Sequence, residues 1–588
     1  MSATICPNIV FEASWEVTNK AGGIYTVVTS KVQLMQANYG SYVLLGPLFD
    51  RLPSDFNEQQ PPEPYARAFA RLAQEGIRCV YGTWDVAGKP DTILVDARSL
   101  YPQLNEIKTQ LWNHYKIDSL FASGDFHEPL LWSWGIGKLL HALEQEFSFS
   151  TVVAHFHEWL AGMGLLYLDL MKSKIATVWT THATMLGRTI ASHAPDSYLH
   201  LTTIEPEEAA RTHNVSEKFT TERACANTAD VFTTVSKMTA KECDAFFGRK
   251  PDVLPNGLAI DTFPTFDDAS FQHFKYKERL YDYCITHFFP HYHFDLSKTL
   301  FYYFGGRYEY SNKGLDIIID SLAQLDQEMQ GSDKTIVMFF FVAWNAGRPK
   351  QELLDNKQYV EQLTASVHEQ ADYFLQRIVL SALVEGDKPL DILPEEFVTK
   401  LQHEHRFVTR EGLPKLATHS IDEEHDPTMQ HLRRVGLTNK KENRVKIVFM
   451  PAYLDGNDGL LNLSYYEAMS GCHLGLFPSF YEPWGYTPLE SLAYGVPAVT
   501  TNTAGFGQHM NTEVTTSRTG VFVIDRKKGN PQAVEELTTA LRTFGALDKN
   551  GRIAWKRNAH ALSTYADWRQ LIKHYLAAHC KALEVKGR

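Results

Sequence analysis

Tyr481-Glu482-Pro483-Trp484-Gly485-Tyr486-Thr487-Pro488-Leu489-Glu490 sets two carboxylates eight residues apart across a loop-to-helix junction. Thr487 is expected to cap a helix that begins at Pro488, with Glu490, three positions after the cap, completing a capping box. The N–H groups of Gly485, Tyr486 and Thr487 then lie at a helix N-terminus, where unpaired amides and the helix dipole favour phosphate oxygens. Upstream, His473 to Pro478 reads as a buried strand; downstream, Gly495-Val496-Pro497 ends the helix before a second strand, Ala498 to Thr501. Strand, loop, helix, strand is the unit of an open α/β sheet, whose ligands sit beyond the carboxyl ends of the strands. Glu482 and Tyr486 are thereby placed in a cleft.

The same alternation recurs outward from this point. Ile9 to Ala13 is a short strand followed by the loop Asn19-Lys20-Ala21-Gly22-Gly23-Ile24 and a helix carrying Val27, Val28 and Val32. Val152 to His155 and Ala176 to Thr181 repeat the strand-to-loop pattern, which implies a doubly wound sheet. After a turn at Pro255-Asn256-Gly257, a second alternating unit starts at Thr299 to Phe304, and its helix bears the stripe Leu315, Ile318, Ile319, Leu322. The fold class is α/β, with two doubly wound units joined somewhere between about residues 260 and 295. The expected division is 1–265, 266–548 and 549–588. Within the second unit, a helical insertion covers about residues 350–440. Its stripe Val360, Leu363, Val367, Ala371, Phe374, Ile378 alternates spacings of three and four, as in one long helix able to pair with another copy. At the C-terminus Trp568, Leu571, Ile572, Tyr575 and Leu576 form a face that docks on the body.

Composition narrows the function. At 588 residues the chain exceeds a single core, given roughly 100 to 200 residues per domain. A net charge of -12 argues against nucleic-acid binding through bulk positive potential and favours a neutral polymer or small anion as partner. Cysteines 6, 79, 225, 243, 284, 472 and 580 include no Cys-x-x-Cys pair, so neither a disulfide framework nor a zinc cluster is indicated, and a reducing cytoplasm fits. Met1 to Val10 lacks a leader pattern, and no run reaches the ~18 apolar residues of a membrane span.

Arg307 and Lys313 flank a glycine-bearing loop after a strand, where two converging cations would neutralise a pyrophosphate leaving group. No Walker-type Gly-Lys-Ser/Thr is present. His155-Phe156-His157-Glu158-Trp159 alternates along a strand end without a further ligand cluster, so polar cleft lining accounts for it better than a metal site. His182, also after a strand, precedes Arg188 by six residues; it is open to either a buried or a cleft-lining reading. Asp455-Gly456-Asn457-Asp458-Gly459 fails as a calcium loop because Gly459 and Leu460 fall where a ligand and a glycine are needed.

Asn19 to Tyr25, His155 to Trp159, Thr180 to Arg188, Pro255-Asn256-Gly257, Gly306 to Gly314 and Gly471 through Gly507 together resemble the glycogen synthases of the fungal and animal type, glycosyltransferase family 3. The order of the motifs is preserved over nearly the whole chain, and the Tyr-Glu-Pro-Trp-Gly-Tyr-Thr-Pro block is the most specific of them. A short form without regulatory tails is expected, since the first strand starts near residue 10 and little follows the last amphipathic face.

The resemblance implies a GT-B architecture, two Rossmann-like domains facing across a cleft with the last helix crossing back to the first. It also implies a retaining glucosyltransferase that extends α-1,4-glucan (glycogen) chains from UDP-glucose, needs no metal or cofactor, and forms a homo-oligomer, a tetramer. By resemblance, Arg307 and Lys313 stabilise the leaving diphosphate, Tyr486 and Thr487 contact phosphate, Glu490 holds the ribose and Tyr465 stacks on uracil. Lys20, Gly22 and Gly23 approach the donor from the first domain, His182 and Arg188 border glucose and phosphates, and Glu482 lies at the transferred sugar. His157 and Asn256 complete the glucan and glucose contacts. Other GT-B transferases, such as sucrose-synthase-like or ADP-glucose-dependent enzymes, are the nearest rivals. A pyridoxal-dependent phosphorylase or an inert glucan-binding scaffold fits the residues less well.

Overall fold

A computed structural model describes residues 6–146, 151–344, 346–384, 395–399, 409–514 and 519–587. The first five residues of the N-terminal segment and much of the expected insertion, 385–394 and 400–408, lie outside the described residues.

Two sheets organise the chain. The first contains β1 (Ile9–Ala13), β2 (Ser41–Pro47), β3 (Phe56–Glu58), β4 (Arg78–Trp84), β5 (Asp91–Asp96), β6 (Val152–His157), β7 (Ala176–Thr181), β8 (Val231–Thr234) and β9 (Asp252–Val253). Its spatial order is β3-β4-β5-β2-β1-β6-β7-β8-β9, parallel except for the β3–β4 and β4–β5 pairs. The second contains β10 (Thr299–Arg307), β11 (Thr335–Ala343), β12 (Val445–Met450), β13 (Leu474–Leu476), β14 (Ala498–Thr501) and β15 (Val521–Ile524). It is parallel throughout, in the order β12-β11-β10-β13-β14-β15. Helices cover both faces of such sheets, which is why β11, Thr-Ile-Val-Met-Phe-Phe-Phe-Val-Ala, is apolar almost end to end and buried through Val342. In each sheet the winding reverses direction once, between β1 and β6 and between β10 and β13. Crevices open at these switch points beyond the carboxyl ends of the strands.

The units are joined twice. Pro255-Asn256-Gly257 leads out of the first sheet, and the chain returns at Asp567. Leu258 and Asp567 form a parallel bridge in which Leu258 N–H donates to Ala566 O at 2.9 Å and Trp568 N–H to Leu258 O at 3.1 Å. The last helix, Trp568–Lys586, then buries Leu571, Ile572 and Tyr575 against the first sheet, as its apolar face requires. One hydrophobic cluster therefore runs unbroken through Val27, Leu258, Phe301, Leu489 and Trp568.

Four expectations need correction. Helix Tyr486–Ala493 begins at Tyr486, with Gly485 at the N-cap (φ 104°) and no side-chain cap. The glycine turns the chain in a left-handed conformation, so Thr487 already lies in the first turn and the capping box does not form. Cys6 and Cys580, remote in sequence, form a disulfide because the last helix packs back beside the chain's start. The helix after Gly23 is broken at Lys31 into Gly23–Ser30 and Val32–Asn38. The stripe from Val360 to Ile378 spans two helices, Gln351–Glu369 and Ala371–Val384, rather than one.

Gly314 holds the second crevice in shape. Its φ is +75°, and a Cβ there would stand 2.3 Å from Pro478 O, so the β10 loop and the β13 loop meet only across a bare backbone. Gly314→Ala is expected to cost roughly 1–3 kcal/mol, the scale of one strained backbone position, read as a fall in melting temperature.

Candidate active site

The walls of the cleft are the loops at the two switch points. On the second domain, Arg307 ends β10 and Lys313 precedes Gly314. Arg307 Nη2 lies 3.0 Å from Glu309 Oε1 and remains mostly exposed, whereas the Lys313 ammonium pairs with the Glu482 carboxylate. The Glu482 loop is pinned from both sides. Phe480 N–H donates to Asn312 O at 2.7 Å and Tyr481 N–H to Asn312 Oδ1 at 3.2 Å, while Gly505 N–H donates to Glu482 O at 2.9 Å. Arg307, Lys313, Glu482 and the free first-turn amides of Tyr486 and Thr487 thus share one crevice.

Glu490, on the same helix, accepts from Tyr466 Oη at 2.9 Å instead of reaching back to the helix start. Tyr466 stacks on Tyr494 and is the more open of two adjacent tyrosines; the Tyr465 ring lies against Gly305, where a Cβ would come within 2.6 Å of it. Sequence reading named Tyr465 and missed Tyr466.

On the first domain, Glu16 shapes the Lys20–Gly23 turn by accepting from Gly22 N–H at 2.7 Å and Tyr25 N–H at 2.9 Å. Gly22, Gly23 and Lys20 are exposed, and Gly23 faces Tyr486 across the cleft, its Cβ position 3.7 Å from that ring. Tyr486 Oη donates to Gly257 O at 3.1 Å, closing the same gap at the crossing. Asn256, beside it, is buried with Oδ1 unpaired, at the junction rather than on the open wall. Arg188 is exposed to the cleft, with Tyr481, Glu158, Glu482 and Glu222 as its electrostatic neighbours.

His157 corrects its sequence reading as a glucan contact. It is buried, and both ring nitrogens are taken: Nδ1 by His182 Nε2 at 2.9 Å and Nε2 by Glu12 Oε1 at 2.6 Å. His182, just past the end of β7, is 8% exposed. Glu12, His155 and His157 come close enough to share a metal ion, a grouping invisible in sequence because Glu12 sits on β1. The Lys31 ammonium, 2.5 Å from Glu12 Oε1, already supplies the positive charge there.

Three further carboxylates hold the segment that runs from His182 into the helix Met185–His193, which bears Arg188. Glu158, at φ +64° on leaving β6, accepts from His182 N–H at 2.7 Å and Ala183 N–H at 3.2 Å. Glu222 accepts from Met185 N–H, and Glu242 from Thr184 Oγ1 at 2.7 Å and Tyr198 Oη at 2.5 Å. Tyr481 of the second domain also donates to Glu242, at 3.2 Å. Burial pushes the carboxyls of Glu158 and Glu242 up to about 7, even against Arg188 and their hydrogen bonds. Glu158 directly follows β6, whereas Glu222 and Glu242 lie inside the helices Ser216–Thr228 and Lys237–Phe247, where neither carries a sequence signature.

The sequence matches the family described as glycogen synthase over residues 12–586. It is 37% identical to the glycogen [starch] synthase of Caenorhabditis elegans, over 98% of this chain and 88% of that one. The chain belongs to the glycogen synthase family. It is also 36% identical to the liver glycogen [starch] synthase of Homo sapiens, over 96% of this chain and 82% of that one. The catalytic domain of starch synthase IV from Arabidopsis thaliana, solved bound to ADP and acarbose, matches with a TM-score of 0.51 at 13% identity, covering 99% of this chain and 100% of that one. The fold is GT-B, and the enzyme is a glucosyltransferase that extends glucan chains. Among the described residues, no helix is long and apolar enough to cross a membrane.

A raised folded-state pKa makes Glu158 a source of pH dependence with a definite sign. Its stabilising contribution is complete below the unfolded value of 4.5 and is lost as pH rises through about 7. The melting temperature of Glu158→Gln, which keeps an acceptor for the two amides, should fall less than that of the unmodified chain between about pH 5 and pH 8. Parallel curves for the two proteins would contradict this.

Proposed function

We propose that the enzyme transfers glucose from UDP-glucose to the 4-hydroxyl of a glucan chain end with retention of configuration, and that it needs no metal or cofactor. The observation that carries this reading is the convergence of Arg307, Lys313 and the first turn of helix Tyr486–Ala493 beyond β10 and β13, facing the Gly22–Gly23 turn. Two cations and a helix N-terminus suit a diphosphate whose charge grows as it leaves. Arg188 would meet the same anion from the first domain. Glu490 and Tyr466 supply polar atoms for the ribose, and Tyr465 an aromatic face for uracil. Glu482, held by Lys313, would support the positive charge on the sugar or bind its hydroxyls.

The acceptor proton passes to the departing phosphate on the same face in this reading. Supporting it, Glu158, Glu222 and Glu242 are occupied by backbone amides and hydroxyls, so none of these three stands ready as an acid/base partner to Glu482. Closure of the domains keeps water from the activated sugar. A cytoplasmic location is part of the proposal: Cys225, Cys243, Cys284 and Cys472 are free and buried, although Cys6 and Cys580 are joined.

A homo-oligomer, a tetramer, is proposed to form through the insertion. Leu375, Ile378, Val379, Leu380 and Leu383 are exposed together on Ala371–Val384, an apolar face that a second copy would cover. No nucleic acid or membrane partner is invoked.

Incubating the protein with glycogen and either UDP-glucose or ADP-glucose while following nucleotide diphosphate should give UDP release; no release from either donor would end this reading. Arg307→Ala and Lys313→Ala should each lower kcat about a hundredfold with glucan binding retained. Near-normal turnover in both would remove them from the mechanism. Light scattering should find an assembly larger than the single chain that dissociates on Leu375→Asp/Leu383→Asp, because charged seams are costly to desolvate. A monodisperse single chain at micromolar concentration would refute the oligomer.

A further inference from the structure

We propose that Glu12, though it lies behind the cleft, is a positioning residue. Acting through His157, it fixes the tautomer of His182 so that Nδ1 faces the cleft as a bare acceptor for a sugar hydroxyl. The assignment of a sugar as the ligand rests on the function proposed above; the tautomer does not.

Glu12 is fully buried on β1. Burial alone would raise its carboxyl, but the Lys31 ammonium and the His157 hydrogen bond outweigh that and hold it well below the carboxylate range. An ionised carboxylate only accepts. Its Oε1 is met by Lys31 Nζ at 2.5 Å and His157 Nε2 at 2.6 Å, and its Oε2 by Tyr42 Oη at 2.6 Å. His157 Nε2 therefore carries the proton. Burial keeps the His157 imidazole neutral despite the carboxylate beside it, so Nδ1 is a lone pair. His182 Nε2, 2.9 Å from that lone pair, must donate. Burial and the adjacent His157 hold His182 neutral as well, which leaves its Nδ1 without a proton.

No described residue bonds His182 Nδ1, and this residue, 8% exposed, is where the chain of hydrogen bonds meets the cleft. The Glu158 carboxylate fixes the His182 main chain at 2.7 Å, so the ring is held at both ends.

A second buried chain removes the competing source of protons. Thr233 Oγ1 donates to Trp179 O at 3.2 Å, so Thr180 Oγ1 donates to Thr233 and accepts from His155 Nε2 at 2.6 Å. His155 Nδ1 then accepts from His579 Nε2 at 3.0 Å, and His579 Nδ1 from Tyr39 Oη at 2.7 Å. Every proton in that chain is spoken for. His155 stacks on His157, ring centres 4.4 Å apart, without exchanging a hydrogen bond with it.

The consequence is a division of labour on one wall. Arg188 offers donors only and suits phosphate oxygens. The His182 Nδ1 lone pair repels a phosphate oxygen and selects a hydroxyl, so it discriminates between the two ends of a sugar phosphate.

Neutron diffraction from crystals of the deuterated full chain tests the tautomer directly. Deuterium on His182 Nε2 and none on Nδ1 is expected; deuterium on Nδ1 overturns the proposal. A kinetic arm uses His157→Phe, which leaves Glu12 paired with Lys31 and Tyr42, against UDP-glucose and its monodeoxy analogues. The unmodified enzyme should lose roughly tenfold to a hundredfold in kcat/KM on one analogue, the scale of an unpaired polar group. His157→Phe should lose a similar factor on UDP-glucose and little on that analogue. Equal losses on every donor would mark His157 as mere support and overturn the proposal. If the unmodified chain releases no UDP from UDP-glucose and glucan, the function proposed above fails, and the neutron result alone decides this one.

Discussion

Holding a carboxylate and an ammonium together inside the first domain is the constraint on which the rest of the structure depends. Glu12 and Lys31 are both without exposure, and removing an ion from water costs several kcal/mol unless its remaining valences are filled. The fillings come from far apart in sequence: Tyr42 on β2, His157 on β6, and the Tyr575 ring, 5.2 Å from Lys31 Nζ, on the last helix. The last helix is therefore needed to complete the interior of the first domain. A chain that must return to finish its first core after building its second has to cross the junction twice, and the Leu258–Asp567 bridge is that second crossing.

The second domain is organised by close backbone approach rather than by buried charge. Gly314 against Pro478, and Gly505 against Pro483 O at 2.1 Å from its Cβ position, bring three loops together with no side chain between them. Tyr481 then leaves this bare-backbone platform and enters the hydrophobic cluster of the first domain, edge-on to Tyr198 at 5.2 Å. Glu482, next to it, is placed between the domains by the same excursion.

The fold was legible because its strands are short apolar runs: Ile9–Ala13, Ala176–Thr181 and Ala498–Thr501 follow from the sequence at both ends. Arg307, Lys313, Glu482 and Tyr486 were legible as polar residues at strand ends with glycines beside them. The failures have a common physical form. The capping box failed because Gly485 offered a left-handed turn two residues earlier, and the disulfide was missed because it links residues 574 apart. Glu12, Glu16, Glu222 and Glu242 were invisible since a single carboxylate carries no periodicity, and Glu158 was seen only as cleft lining. Their roles exist only after β1, β6, β7 and the helices beyond them have been brought together.

Glu16, Glu158, Glu222 and Glu242 hold the loops proposed to meet a diphosphate, which they would repel if all were ionised. Burial answers this. It raises the carboxyls of Glu16 and Glu222 and brings those of Glu158 and Glu242 to about 7, so near neutral pH the cluster carries less charge than its composition suggests. A carboxyl retains an acceptor oxygen when protonated, and the amides of Gly22, His182, Ala183 and Met185 need only that. The loops that face the substrate are thus held by acceptors whose charge is largely suppressed, while Glu12, the one acid that must stay ionised to direct protons, lies behind two histidines with its own cation.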